Sequence, residues 1–187
     1  MMKQRTIKSI GAVAMAMGGV AVTSIASAHL VLESQLALAG SIYKAIFRVG
    51  HGCGNSPTRQ IAVDIPRGVR AARPMPKPGW ALEIQREQLS QPYTSHGRTV
   101  SEDVVRVIWT AKTKDDVLPN AQYDEFVLVA QLPDKAGLVY WPVRQVCEAG
   151  RNDWVEIPTP SQKLSDLKAP AVLLEIRPTG VSSDHKH

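Results

Sequence analysis

Cysteine occurs only twice in these 187 residues, and aromatic rings are few: two Phe, four Tyr and four Trp. There is no internal repeat and no low-complexity tract, so the chain is neither a solenoid nor a composition-driven flexible polymer. No segment carries the period of an amphipathic helix, which excludes a helical bundle. Lys and Arg outnumber Asp and Glu by 22 to 17, yet no basic run reaches the density that nucleic-acid binding needs. Beyond residue 28 no stretch is apolar enough to cross a bilayer.

What is present begins with a leader. Lys3, Arg5 and Lys8 form a basic start, residues 9–25 are largely apolar, and Ala26-Ser27-Ala28 supplies the small residues that signal peptidase reads. The apolar run is short for a membrane span and no stop-transfer segment follows. Residues 1–28 are therefore expected to be a signal peptide cut after Ala28, with a periplasmic or secreted product. An uncleaved anchor is the alternative, and the only case that brings membrane contact. Removing three basic residues and no acidic one takes the formal charge from +5 to +2, so the high pI belongs partly to the leader. The remainder is expected to be one domain over residues 29–178, followed by a polar, disordered tail, 179–187. Both cysteines, Cys53 and Cys147, lie in it. A disulfide and a thiolate metal pair are the two options; an oxidising compartment and an even count favour the disulfide.

The apolar pattern has period two in many places. In IYKAIFRV, Tyr43, Ala45, Phe47 and Val49 share a face; in RQIAVDI, Ile61, Val63 and Ile65 do. ALEIQRE, VVRVIWT, DEFVLVAQL, LVYWPVRQV, DWVEI and AVLLEIR read as further strands between Gly, Pro, Asn and Asp signals. Many short strands with frequent turns predict an all-β, antiparallel β-sandwich, immunoglobulin-like or cupredoxin-like in outline. RPMPKPGWAL (73–82) has three prolines at alternate positions, which predicts an extended surface loop without ladder pairing that presents Trp80. SQPYTSHGRTVSED (90–103) predicts a hairpin tip at an exposed His96, and residues 158–170 a segment wrapping the domain edge.

Cleavage after Ala28 would leave His29 with a free α-amino group. That amine has a reference pKa of about 7.7–8.0, so losing its proton to a metal costs little at neutral pH. The amine and Nδ1 of the same residue close a six-membered chelate ring. Nitrogen donors in a near-planar arrangement suit Cu(II), which also tops the divalent affinity series. His51, in the Gly-rich turn VGHGCGNSPT just past the IYKAIFRV strand, is the best candidate for a further ligand; its alternative is a turn histidine bonded to backbone. A tryptophan face beside the cation would add quadrupole attraction and exclude water, against core packing as the alternative for each of the four. Met75 is the sole methionine after the leader, which argues against thioether-rich Cu(I) binding. The terminal Asp184-His185-Lys186-His187 reads as a solvated tail that would bind metal only weakly.

The leader followed by AHLVLE, RVGHGCGNSPTRQIAVDIPRGV, RPMPKPGW, EFVLVAQLPDKAGLVYWPVRQVCEAG and NDWVEIP together resemble the YcnI-like family of secreted bacterial copper-binding domains. The resemblance implies a β-sandwich with a Cu(II) site at its amino terminus. It implies a terminal histidine, here His29, a glutamate from the loop after the second strand, and a nearby tryptophan, here Trp154. At the glutamate's loop this chain reads Gly50-His51-Gly52-Cys53, with no carboxylate. His51 then replaces it to give a two-histidine brace, with Glu125 as the reserve ligand and Trp80 bordering the site. A Cys53–Cys147 bridge would staple the loop that carries His51.

The function so implied is not enzymatic. It is a periplasmic Cu(II) chaperone or buffer in copper homeostasis, whose partners are the copper ion and, on delivery, other periplasmic carriers or a membrane copper transporter, with no nucleic acid. A secreted copper monooxygenase with a histidine-brace site and a metal-free structural sandwich are the competing readings.

Overall fold

The computed structural model describes residues 30–180; the leader, His29 and residues 181–187 lie outside it. In chain order the strands are β1 (Val31–Leu32), β2 (Leu36–Leu38), β3 (Ile42–Val49), β4 (Thr58–Asp64), β5 (Arg70–Pro74) and β6 (Trp80–Ser95). They continue with β7 (Arg98–Ala111), β8 (Asp124–Gln131), β9 (Gly137–Trp141), β10 (Val143–Cys147), β11 (Arg151–Trp154) and β12 (Val172–Arg177). One sheet has the order β1-β3-β8-β5, a second β11-β10-β4-β7-β6, and a third, smaller one β2-β12-β9. Every pairing is antiparallel except β2 with β12. The fold is thus the antiparallel β-sandwich that the period-two pattern demands.

The alternation in β3 is what fills the core. Tyr43, Ala45, Phe47 and Val49 are buried, while Ile42, Lys44 and Arg48 face out. Aromatic rings lock the sheets face to face. Phe126 of β8 receives Trp80 and Trp109 of the second sheet edge-on, at 4.9 and 5.7 Å between ring centres. Phe47 meets Trp141 in the same way at 5.7 Å. Edge-to-face contact matches positive ring edges to negative faces and adds about 1 kcal/mol per pair beyond burial. Few aromatics are present, but they are concentrated where the sheets meet.

Two expectations require correction. LVYWPVRQV is not one strand. Pro142 lacks the N–H that would continue the ladder, and the chain changes sheets there: β9 pairs with β12, and β10 with β4 and β11. The proline-rich segment does enter a ladder: β5 runs through Pro74, and the Met75 N–H donates to the Val127 carbonyl at 2.8 Å. Successive amides in a strand point to opposite sides, so Pro74 puts its missing donor on the outer edge, while Pro76 and Pro78 lie beyond the strand. β5 is the last strand of its sheet, where that loss costs nothing. The hairpin is where the sequence put it, with His96 and Gly97 at φ +49° and +73° between β6 and β7.

Candidate metal centre

β3 delivers Gly50-His51-Gly52-Cys53 at one end of the sandwich, and four independent ties hold this loop. The Gln145 Nε2 donates to the His51 carbonyl at 2.7 Å and to the Thr58 hydroxyl at 2.7 Å. The Gly52 N–H donates to Asn120 Oδ1 at 2.9 Å. Cys53 and Ser56 exchange backbone hydrogen bonds at 3.1 Å each, closing a turn. Cys53 is bridged to Cys147, with Cα atoms 5.9 Å apart. Only glycine fits at position 52, because a Cβ there would stand 1.8 Å from the Ser56 carbonyl oxygen.

The His51 ring is oriented as well. Its Nδ1 lies 2.6 Å from the Gly52 carbonyl oxygen. A carbonyl only accepts, so Nδ1 carries the proton, and in the neutral ring the lone pair falls on Nε2. A hydrogen bond at one ring nitrogen that fixes the tautomer is how proteins present the other to a metal.

Trp154 ends β11 opposite Val143 of β10, two residues beyond Asn152. Gln145 is 2% exposed, and its Oε1 accepts from Asn152 Nδ2 at 3.1 Å, which links the His51 backbone to β11. Asn152 and Trp154 share a face of β11, about 7 Å apart along the strand. Beyond Trp154, the Val155 and Glu156 N–H groups both donate to the Ala169 carbonyl, and Ala171 N–H donates to Glu156. The segment 164–173 in turn lines a hollow with Leu30 and Val31. Val31 pairs with Arg48 near the end of β3. Leu30, the first described residue, is therefore flanked by the strand that leads to His51 and by the segment bonded next to Trp154. Neither His51 nor Trp154 is an isolated side chain.

The other candidates have different surroundings. The Glu125 carboxylate accepts the Tyr123 hydroxyl, which itself receives Arg48 Nε at 3.0 Å. Burial, then the bond to Glu125, pushes the Tyr123 phenol up, so it stays a donor. Trp80 is buried against Phe126, the core role that the sequence left open. His29 lies outside the described residues; covalent geometry alone keeps its Cα about 3.8 Å from that of Leu30. Among the described residues no three His, Cys, Asp or Glu side chains cluster to hold a metal. Both cysteines are spent in the disulfide, which removes the thiolate alternative. Gln145, Asn120 and Asn152 escaped the sequence reading. Their partners are distant in the chain, and nothing local marks them.

A β-sandwich carrying these motifs is a defined class. The chain belongs to the family described as Domain of unknown function (DUF1775), whose model matches residues 29–176. It is similar to the copper-binding protein CutI of Bacillus subtilis (strain 168), with 27% identity over 128 residues, 68% of this chain and 55% of CutI. The chain thus spans about half the length of that relative. The crystal structure of an uncharacterized protein from Nocardia farcinica, described as an immunoglobulin-like fold, aligns with a TM-score of 0.61. It is 24% identical and covers 80% of this chain and 99% of that one, a likeness of fold.

Proposed function

We propose that this chain is an exported Cu(II)-binding protein of copper homeostasis, acting as chaperone or buffer. The ion is held by the amine and imidazole of His29 and by Nε2 of His51. The reading requires export and removal of residues 1–28. Its support is the family, the name of the relative CutI, and one observation above all: the loop bearing His51 is pinned at four points with its ring tautomer set. A ligand fixed before the metal arrives loses little entropy on binding. The donors suit Cu(II): nitrogen atoms, with no thiolate or thioether cluster to prefer Cu(I). Trp154 shields the ion from one side.

Cu(II) electron paramagnetic resonance of protein beginning at His29, compared with protein carrying one extra amino-terminal alanine, tests the reading. The extension is expected to abolish the high-affinity, nitrogen-rich signal. His51→Ala is expected to remove one nitrogen coupling and lower affinity. Unchanged spectra in both variants would refute the site. Copper-dependent cleavage of a polysaccharide would replace the carrier with an enzyme.

A further inference from the structure

At the opposite end of the β1-β3-β8-β5 sheet, about 24 Å along β8 from Asp124, lies a cleft of about 390 Å³. The distal part of the β6–β7 hairpin forms one wall and the edge strand β5 the other. Arg70, Arg73, Thr94, Ser95, His96 and the carboxylate residue Asp134 line it. We propose that this cleft binds a phosphate-type oxyanion, with the guanidinium groups of Arg70 and Arg73 as its charged donors.

Both arginines belong to β5 and flank an irregularity in its pairing. The β5–β8 register slips between Arg70, opposite Gln131, and Arg73, opposite Val129, so β5 carries an extra residue. Such a bulge re-aims the side chains beside it. Ala71, inside the bulge, has φ +51°, a left-handed conformation that costs a non-glycine residue about 1 kcal/mol. A carboxylate 6% exposed holds it there: Asp103 Oδ2 accepts the Ala71 N–H at 2.8 Å and the Tyr93 hydroxyl at 2.8 Å. Asp103 Oδ1 accepts the Val104 N–H at 2.8 Å. Burial, then the bond to Asp103, pushes the Tyr93 phenol up to about 12, so it stays protonated.

The donors to Asp103 are two backbone N–H groups and a phenol, and it forms no ion pair with either arginine. Among the described residues neither Arg70 nor Arg73 forms an ion pair. The Arg70 guanidinium lies 4.8 Å from the centre of the Tyr93 ring, a cation–π contact. Two guanidinium forks on the β5 wall, opposite Thr94, Ser95 and His96 on the hairpin wall, match the oxygens of a phosphate-type anion. A free phosphate ester and a phospholipid headgroup share this chemistry.

The test uses the metal-free protein starting at His29, so its result does not depend on the copper reading. Titration with inorganic phosphate, followed by NMR, and flotation with vesicles of phosphatidylcholine with or without phosphatidic acid separate the two sources. Binding is expected in at least one arm, and Arg70→Gln/Arg73→Gln is expected to weaken it about tenfold or more. Binding to phosphate alone supports a soluble ligand; binding to acidic vesicles alone supports a headgroup. No binding in either arm overturns the proposal. So does an equal loss in the charge-matched control Arg151→Gln/Arg177→Gln, which would reduce the effect to bulk charge.

Discussion

The two ends of the sandwich are held by different means. At the His51 end, a disulfide, a glycine without room for a side chain and a buried amide fix the loop, and no charged group takes part in those ties. At the Arg70 end, a buried carboxylate holds an alanine in a left-handed conformation, and two arginines with no ion pair among the described residues line the cleft. Neutral ties hold the His51 loop without adding charge to it. A charged clamp creates a local field at some cost in strain.

The comparison breaks most severely on removing the bridge. Cys53→Ala/Cys147→Ala opens a link across 94 residues. The chain-entropy model assigns about 4–5 kcal/mol to a loop of this length. Urea unfolding should show that loss, and Cu(II) affinity should fall with it because the His51 loop loses an anchor. The Arg70–Arg73 cleft, at the far end, should retain its ligand binding.

Gln145→Leu comes next. The substitution leaves the His51 carbonyl, the Thr58 hydroxyl and the Asn152 amide without their partner. Some find water, so the expected cost is about 3 kcal/mol rather than the full sum. Denaturant unfolding measures it, and copper resonance should broaden as His51 loses its fixed backbone.

The fold was legible because burial on a strand alternates. IYKAIFRV became β3 with the facing residues expected, and DEFVLVAQL became β8 short of its last residue. The hairpin at His96 was marked by its turn. The His51 end was legible in part: Cys53, Gly52 and His51 sit within three residues, so the pattern is local. What holds them is not local: Gln145 is 94 residues from His51, and its role arises only from strand register. The cleft was invisible for the same reason, since Asp103 and Ala71 meet only once the β6–β7 hairpin folds against β5.

A smaller effect separates a structural charge cluster from both ends. Burial raises the Asp64 carboxyl, but hydrogen bonds from Arg106 and Arg144 outweigh it and hold it below its usual value. A lowered folded-state pKa means that the contribution is complete above about pH 4 and is lost as pH falls through the folded value. The three groups are partly solvated, so screening limits it to under about 1 kcal/mol. Asp64→Asn should therefore destabilise slightly at neutral pH, and its unfolding curve should converge with the unaltered protein's below about pH 4. Both binding ends should be unaffected.

The smallest change bears on the strain itself. Ala71→Gly removes a Cβ from a backbone at φ +51° while keeping the N–H that Asp103 accepts. Relief of the left-handed conformation gains about 1 kcal/mol, and the added freedom of the unfolded chain takes back about half. The expected net is a stabilisation of about 0.5 kcal/mol, a rise in melting temperature of about 1–2 °C for a chain of this size. If Ala71 instead destabilises when changed to glycine, the alanine methyl is contributing packing and the bulge is not strained. If the gain appears and phosphate-type binding falls, rigidity at this residue is what keeps Arg70 and Arg73 facing the cleft. The His51 end should register neither outcome, since no tie of its loop passes through β5.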